Sequence, residues 1–219
     1  MDFEYISGSV PLFVEAGLLV LRLALFGITG SLTLGLLVAV FRFYKFNILA
    51  QVSGIYIELS RNIPLVILLF FMLFGLNGLG ITITPEACAV GGMVFIGGGY
   101  MAEAFRTGFQ HVCRTQVEAG KSLGMTAPRI FVSVIFPQSI RNSFPLLGAN
   151  LIFLLKETSV FSAVSLVDLM YQAKMLIGQD FKTAEVLTLL ITAYGLILIP
   201  VAICITIVDK RLRRAYGTV

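Results

Sequence analysis

Residues 116–138 read QVEAGKSLGMTAPRIFVSVIFPQ. One Glu, one Lys, one Arg, two Gly and two Pro interrupt a chain that is long and apolar on both sides. Gly120-Lys121-Ser122 has the ending of a phosphate-binding loop, but that pattern needs a glycine five residues before Gly120, and Thr115 stands there. No Val/Ile-rich strand precedes it either. The stretch reads as two short helices and a turn. Residues 116–123 form the first, with small Ala119, Gly120 and Ser122. Gly124 takes positive φ and stops it. Thr126 caps the second, with Pro128 in its first turn. Ile130, Phe131 and Val134 then share a face, and Pro137 ends or bends that helix. A polar helix–turn–helix knob with small residues is a docking element that a partner surface approaches closely.

The rest of the chain says what the knob projects from. Of 219 residues, 58% are hydrophobic and 13% charged, against roughly a quarter charged in soluble domains. Mean hydropathy is +0.94. A soluble chain of this kind would expose large apolar patches, so this is an integral membrane protein. Lipid offers no partner for an open sheet edge, which makes it all-α. With about 20 apolar residues per crossing, five spans are expected: 15–41, 53–76, 86–105, 143–165 and 185–208. The second is broken or bent near Arg61-Asn62-Ile63-Pro64. The acidic N-terminus lacks the basic region of a secretory signal. No internal repeat is visible, and one membrane domain over 1–219 is expected.

Basic residues orient the spans. Arg42 and Lys45, then Arg106, Arg114, Lys121, Arg129 and Arg141, then Lys210, Arg211, Arg213 and Arg214 fall in one set of connections. Only Lys174 and Lys182 fall in the other. The first set is cytoplasmic, with the N-terminus outside and the C-terminus inside. The net charge of +4 therefore reflects membrane topology, not nucleic-acid binding. Arg22 reads as snorkelling at the outer interface. Cys88, Cys113 and Cys204 are scattered and read as small buried or lipid-facing residues. His111 has no Cys/His partner and reads as a surface residue.

The spacing Glu118-Ala119-Gly120, Gly124, Val134, Phe136-Pro137 resembles the EAA loop of bacterial ABC importer permeases, with Gly120, Val134 and Phe136 replacing Ala, Ile and Leu. Tyr56-Ile-Glu58-Leu-Ser-Arg61-Asn-Ile-Pro64-Leu, Gly99-Tyr100-Met-Ala-Glu103-Ala-Phe-Arg106-Thr-Gly108, Pro137-Gln138-Ser-Ile-Arg141-Asn, Pro145-Leu-Leu-Gly148-Ala-Asn150 and Leu155-Lys156-Glu157-Thr158-Ser159 extend the likeness to the polar amino-acid subfamily, of histidine, glutamine, arginine and glutamate type. That resemblance implies a type I permease subunit in the bacterial inner membrane, with two permeases, identical or paralogous, on two ATPase subunits. ATP and Mg belong to the ATPase and no cofactor to this chain, which is no enzyme itself. An extracytoplasmic binding protein delivers the amino acid.

The resemblance places Glu118, Ala119, Gly120, Gly124 and Pro137 in ATPase coupling, with Glu118 as polar anchor. The plainer reading is that Glu118 supports its own helix with Lys121. Ionisable residues in spans mark the substrate pathway or structural ion pairs. Glu103, Lys156 and Glu157 are such residues, with Thr158 and Ser159 beside them. Lys156 and Glu157 point about 100° apart, so both do not face one ligand squarely. Arg61, before a proline that frees backbone carbonyls, either joins the pathway or snorkels. Gly27, Gly30, Ser31, Gly35 and Ala39 form a small-residue stripe that seats a helix of this chain or of a second permease. Gly97-Gly98-Gly99 allow close helix contact or a bend. Residues 166–184 meet the binding protein or simply connect. A secondary carrier or channel needs no knob and often shows inverted repeats. A membrane enzyme needs a nucleophile with a base or clustered ligands.

Overall fold

The computed structural model describes residues 1–214. Eight helical elements follow in order among them: α1 (Phe3–Phe43), α2 (Asn47–Asn62), α3 (Leu65–Gly78), α4 (Pro85–Gln110), α5 (Arg114–Ser122), α6 (Ala127–Val164), α7 (Leu169–Asp180) and α8 (Thr183–Arg214). Helices α1, α4, α6 and α8 are each long and apolar enough to cross a membrane. α2 and α3 together make a fifth candidate, bent by 104°.

The break falls where the sequence places it, at Arg61–Pro64, and the bend is sharp enough that neither half alone makes the crossing. α2 has 16 residues, about 24 Å of helix, short of a hydrocarbon core of about 30 Å. Pro64 causes the break. Its ring pushes Ile63 out of helical space, to φ −92° and ψ 124°, and Pro64 itself is extended at ψ 137°.

α4 is the central helix. Of its most apolar window 67% is buried, against 0% for α8. It starts where Thr84 accepts a hydrogen bond from the Ala87 N–H at 3.2 Å, with Pro85 in the first turn. α1 packs along it, and α2, α3 and α6 surround it. The α1 stripe is what permits this. A Cβ on Gly35 would stand 2.8 Å from the Ala102 nitrogen and 2.9 Å from the Gly98 oxygen. Between Gly27 and Gly35, the Ser31 hydroxyl donates to Gly27 O at 2.7 Å and reaches Met93 O at 3.1 Å. The stripe thus seats a helix of the same chain. Gly97-Gly98-Gly99 form the other half of the contact. They meet Ser31, Tyr56 and Ser60 without interrupting α4.

α1, with 41 residues, is about 61 Å long by helical rise, twice a hydrocarbon core, and starts well before the expected residue 15. Asp2 accepts from the Tyr5 N–H at 3.0 Å and starts it early. Lys182 donates to Asp2 at 2.6 Å, and Tyr5 donates its hydroxyl to Asp180 at 2.6 Å. These contacts clasp the start of α1 to the α7–α8 junction. The Lys182 hydrogen bond holds the Asp2 carboxyl below its ordinary range. A carboxyl lowered on folding favours the folded clasp above its unfolded pKa and loses that contribution as pH falls through the folded one. Amide exchange over residues 2–6, corrected for intrinsic rate, should therefore rise below about pH 4. Lys182→Ala should flatten that rise.

Residues 166–184 hold no plain loop. They form α7, whose Leu169, Ala173 and Leu176 are buried against α1 and α8. Asp168, 1% exposed, caps it by accepting from Tyr171 N–H at 2.7 Å, and also accepts from Ser162 N–H at 3.1 Å.

Candidate functional site

The 116–138 stretch folds into the expected hairpin. α5 runs Arg114–Ser122. Gly124 has φ +73°, and its N–H donates to Lys121 O at 2.9 Å, while Met125 N–H donates to Gly120 O at 3.1 Å. This pair of bonds is the Schellman ending that a left-handed glycine makes available. Gly124→Val should cost about 1–2 kcal/mol at this φ, and should show in a purified sample as earlier protease cleavage at 123–126 than in wild type.

Two expectations need correcting. Thr126 holds the extended cap position, but its hydroxyl accepts no cap hydrogen bond. Pro137 does not end its helix, since α6 runs on through it to Val164. The reason is a π turn at Phe131–Ile135, in which Phe136 N–H donates to Phe131 O. The widened turn makes room for the ring and puts Pro137 in the first turn of renewed α geometry. The Gln138 and Ser139 side chains donate to Val134 O at 2.9 Å and Ile135 O at 2.7 Å.

Side chains of α5 divide by face. Gly120 is buried on the hairpin partner, and a Cβ there would meet Ile130 Cγ1 at 3.0 Å. Glu118 and Ala119 are exposed. Glu118 forms no ion pair with Lys121 or any other described residue, so local helix support is not what its carboxylate provides. Gln138 Nε2 donates to Gln116 Oε1 at 2.6 Å and ties α5 to α6.

Phe131, which sequence reading assigned only to an apolar face, is the joint between hairpin and membrane helices. Its ring centroid lies 6.0 Å from Phe43, 5.6 Å from Tyr44, 5.6 Å from Phe109 and 6.0 Å from Phe136. The ends of α1 and α4 therefore grip the root of the hairpin. Sequence shows these aromatics at helix ends, but not that they converge.

The expected pathway residues separate. Glu103 is bound by Arg106 one turn along α4, with Nε donating to Oε2 at 2.9 Å. It does not pair with Lys156 or Glu157. Thr158 is buried and its hydroxyl donates to Leu155 O at 2.7 Å. Ser159 is half-buried, and its carbonyl accepts from the Ser162 hydroxyl at 3.4 Å. Lys156 is exposed and Glu157 half-buried, and neither makes an ion pair among the described residues.

Arg61 ends α2 at the break, with its guanidinium 5.5 Å from the Tyr100 ring centroid. Tyr100 donates its hydroxyl to Arg61 O at 3.4 Å, and Asn150 Nδ2 donates to Tyr100 O at 3.0 Å. The Tyr100 and Phe153 rings stand 5.1 Å apart. Asn150, Phe153 and Glu157 follow at helical spacing on one face of α6. A cation on α2 thus stands on an aromatic, hydrogen-bonded seam along α4, and Glu157 lies on the α6 face that carries Asn150 and Phe153. Tyr100, Asn150 and Phe153 were not singled out as site residues in the sequence, because two act through backbone atoms or rings and carry no charge.

Sequence comparison decides the family. The profile of the binding-protein-dependent transport system inner membrane component matches residues 31–216. The chain belongs to this family. Among its relatives, a probable amino-acid ABC transporter permease protein of Sinorhizobium fredii (strain NBRC 101917 / NGR234) is 30% identical over 96% of this chain and 91% of its own. A probable glutamine ABC transporter permease protein of Bacillus subtilis (strain 168) is 29% identical over 99% of this chain and 100% of its own. A solved chain of an amino acid ABC transporter with histidines superimposes with a TM-score of 0.88, at 28% identity over 96% of this chain and 99% of the other. This inner membrane component therefore shares its whole length and shape with ABC permeases, and the hairpin lies inside the matched region.

Proposed function

We propose that this chain is the permease subunit of an ATP-driven ABC importer of polar amino acids. The observation that carries the reading is the α5–α6 hairpin, held at its root by the ends of α1 and α4, in a chain that matches amino-acid permeases along its length. Two permease subunits, identical or paralogous, sit on two ATPase subunits, which bind ATP and Mg. An extracytoplasmic binding protein supplies the substrate. The N-terminus is outside and the C-terminus cytoplasmic, as the lysines and arginines dictate.

The mechanism follows from the joint. α5 seats in the ATPase, with Glu118 as polar contact, Ala119 allowing close approach, and Gly120, Gly124 and Pro137 shaping the hairpin. When the ATPase closes, the hairpin moves as a unit, and Phe131 passes that motion to α1 and α4. A zwitterion crossing the membrane needs a cationic or N–H partner for its carboxylate and an acidic or carbonyl partner for its ammonium. Arg61, at the break that exposes backbone at Pro64, and Glu157, on the α6 face that carries Asn150 and Phe153, supply both kinds.

The first test is a gentle pull-down of the tagged chain from its native membrane, with mass spectrometry of the eluate. A stoichiometric P-loop protein is expected, and recovery of the chain alone would point to a secondary carrier or channel. Glu118→Lys should leave the chain inserted but cut substrate uptake about tenfold or more while hydrolysis continues, since it places a like charge where an opposite one is needed. Wild-type uptake in that variant would remove Glu118 from the docking surface.

A further inference from the structure

On the cytoplasmic side, α5 walls an open cavity of about 600 Å³ with the ends of α1 and α4, through Arg114, Val117, Glu118 and Lys121. Its charged lining is Arg42, Lys45, Arg106, Arg114 and Lys121, opposed by Glu118 alone. Arg106 is held by Glu103. The side chains of the other four cations make no hydrogen bond or ion pair among the described residues, and Glu103 attracts Arg42 only at longer range. Unpaired like charges around one cavity repel one another unless an anion joins them. Lys45 is held at the rim by the helix ending itself: its φ is 51°, its N–H donates to Arg42 O at 3.2 Å, and Phe46 N–H donates to Phe41 O at 3.2 Å.

The flank of the cavity is apolar. Lys45 leads directly into α2, where Ile48 is 75%, Val52 55% and Ile55 63% exposed, at helical spacing on one face. A soluble anion has no use for that face, but acyl chains do. We propose that the cavity holds the headgroup of an anionic phospholipid of the cytoplasmic leaflet, with Arg42, Lys45, Arg114 and Lys121 around its phosphate and the Ile48–Val52–Ile55 face against its acyl chains. The bound lipid would tie α5 to the ends of α1 and α4 and so fix where the coupling helix stands, with Glu118 at the rim between lipid and ATPase. The site uses the cytoplasmic orientation proposed above but needs no ATPase, and its readout is lipid retention rather than uptake.

The test is native mass spectrometry of the purified chain offered equal phosphatidylglycerol and phosphatidylcholine. Phosphatidylglycerol adducts should dominate. Each basic residue near an anionic surface is worth about fivefold in binding, so R42Q/R114Q/K121Q should lower the preference about tenfold or more, and R42K/R114K/K121R should keep it. Glu118→Gln, a single exposed and near-isosteric change, should raise it. K210Q/R211Q, which removes charge on the same side away from the cavity, should leave it unchanged. No preference in wild type, an equal loss in K210Q/R211Q, or no rise in Glu118→Gln would overturn the assignment. Displacement of the lipid by 10 mM inorganic phosphate, about the upper range for a weak site, would mean that the cavity takes phosphate from solution. Loss of the preference on binding the ATPase would mean that it receives protein.

Discussion

Phe131→Ala should yield a permease that inserts and assembles but no longer converts ATP hydrolysis into uptake. The ring touches four others from three elements, and two of them, Phe43 and Phe109, end the α1–α4 pair at the centre of the fold. Aromatic pairs are worth about 0.5–1.5 kcal/mol each beyond burial. Removing the ring leaves α5 and its turn intact, because the Schellman bonds and the Gln116–Gln138 contact do not involve it. What fails is transmission. Uptake should fall about tenfold or more, while hydrolysis by the reconstituted complex stays within about twofold of wild type. Phe131→Tyr keeps the ring contacts and should transport normally. Uptake and hydrolysis falling together in the alanine variant would show that Phe131 supports assembly, and a normal ratio of uptake to hydrolysis would show that it transmits nothing.

The sequence disclosed the parts whose signals are local. The hairpin turn was legible because only a glycine sits comfortably at φ +73°, and the second-span break because proline acts on the residue before it. Element ends were harder to read. Asp2 and Asp168 start helices earlier and in more places than hydropathy alone indicates, since a cap is one side chain and a span is an average. Pro137 misled because its effect depends on the turn before it, and the π geometry at Phe131–Ile135 absorbs the ring. The site residues were legible by charge alone. Charge brought Glu103 forward, which is spent on Arg106, and left out Tyr100 and Asn150, which act through a ring and a side-chain amide. The Phe131 joint depends on convergence of distant aromatics, which no spacing records.

Gly35→Ala should collapse the folded yield, although alanine is the better helix former by about 1 kcal/mol. The methyl would enter a space where the Ala102 nitrogen stands at 2.8 Å and the Gly98 oxygen at 2.9 Å. Those are backbone atoms of α4, so no rotamer change relieves the overlap and the two helices must separate. Separation strips packing from both sides of the central contact, including the Ser31 contact with the Met93 carbonyl. Overpacking costs about 1–3 kcal/mol where side chains can move, and here they cannot. Gly54→Ala is the control. It is also inside a helix, and a Cβ there meets nothing within 4 Å, so the same substitution should hold or raise stability. Detergent-solubilised yield and melting temperature of the pair, read by fluorescence-detected gel filtration, would separate the two effects. Equal behaviour of the two variants would mean that α1 and α4 are not packed as closely as the fold requires. A loss at Gly35 alone would establish that the stripe, chemically the least conspicuous feature of span one, sets the distance between α1 and α4, the two helices whose ends grip the root of the hairpin.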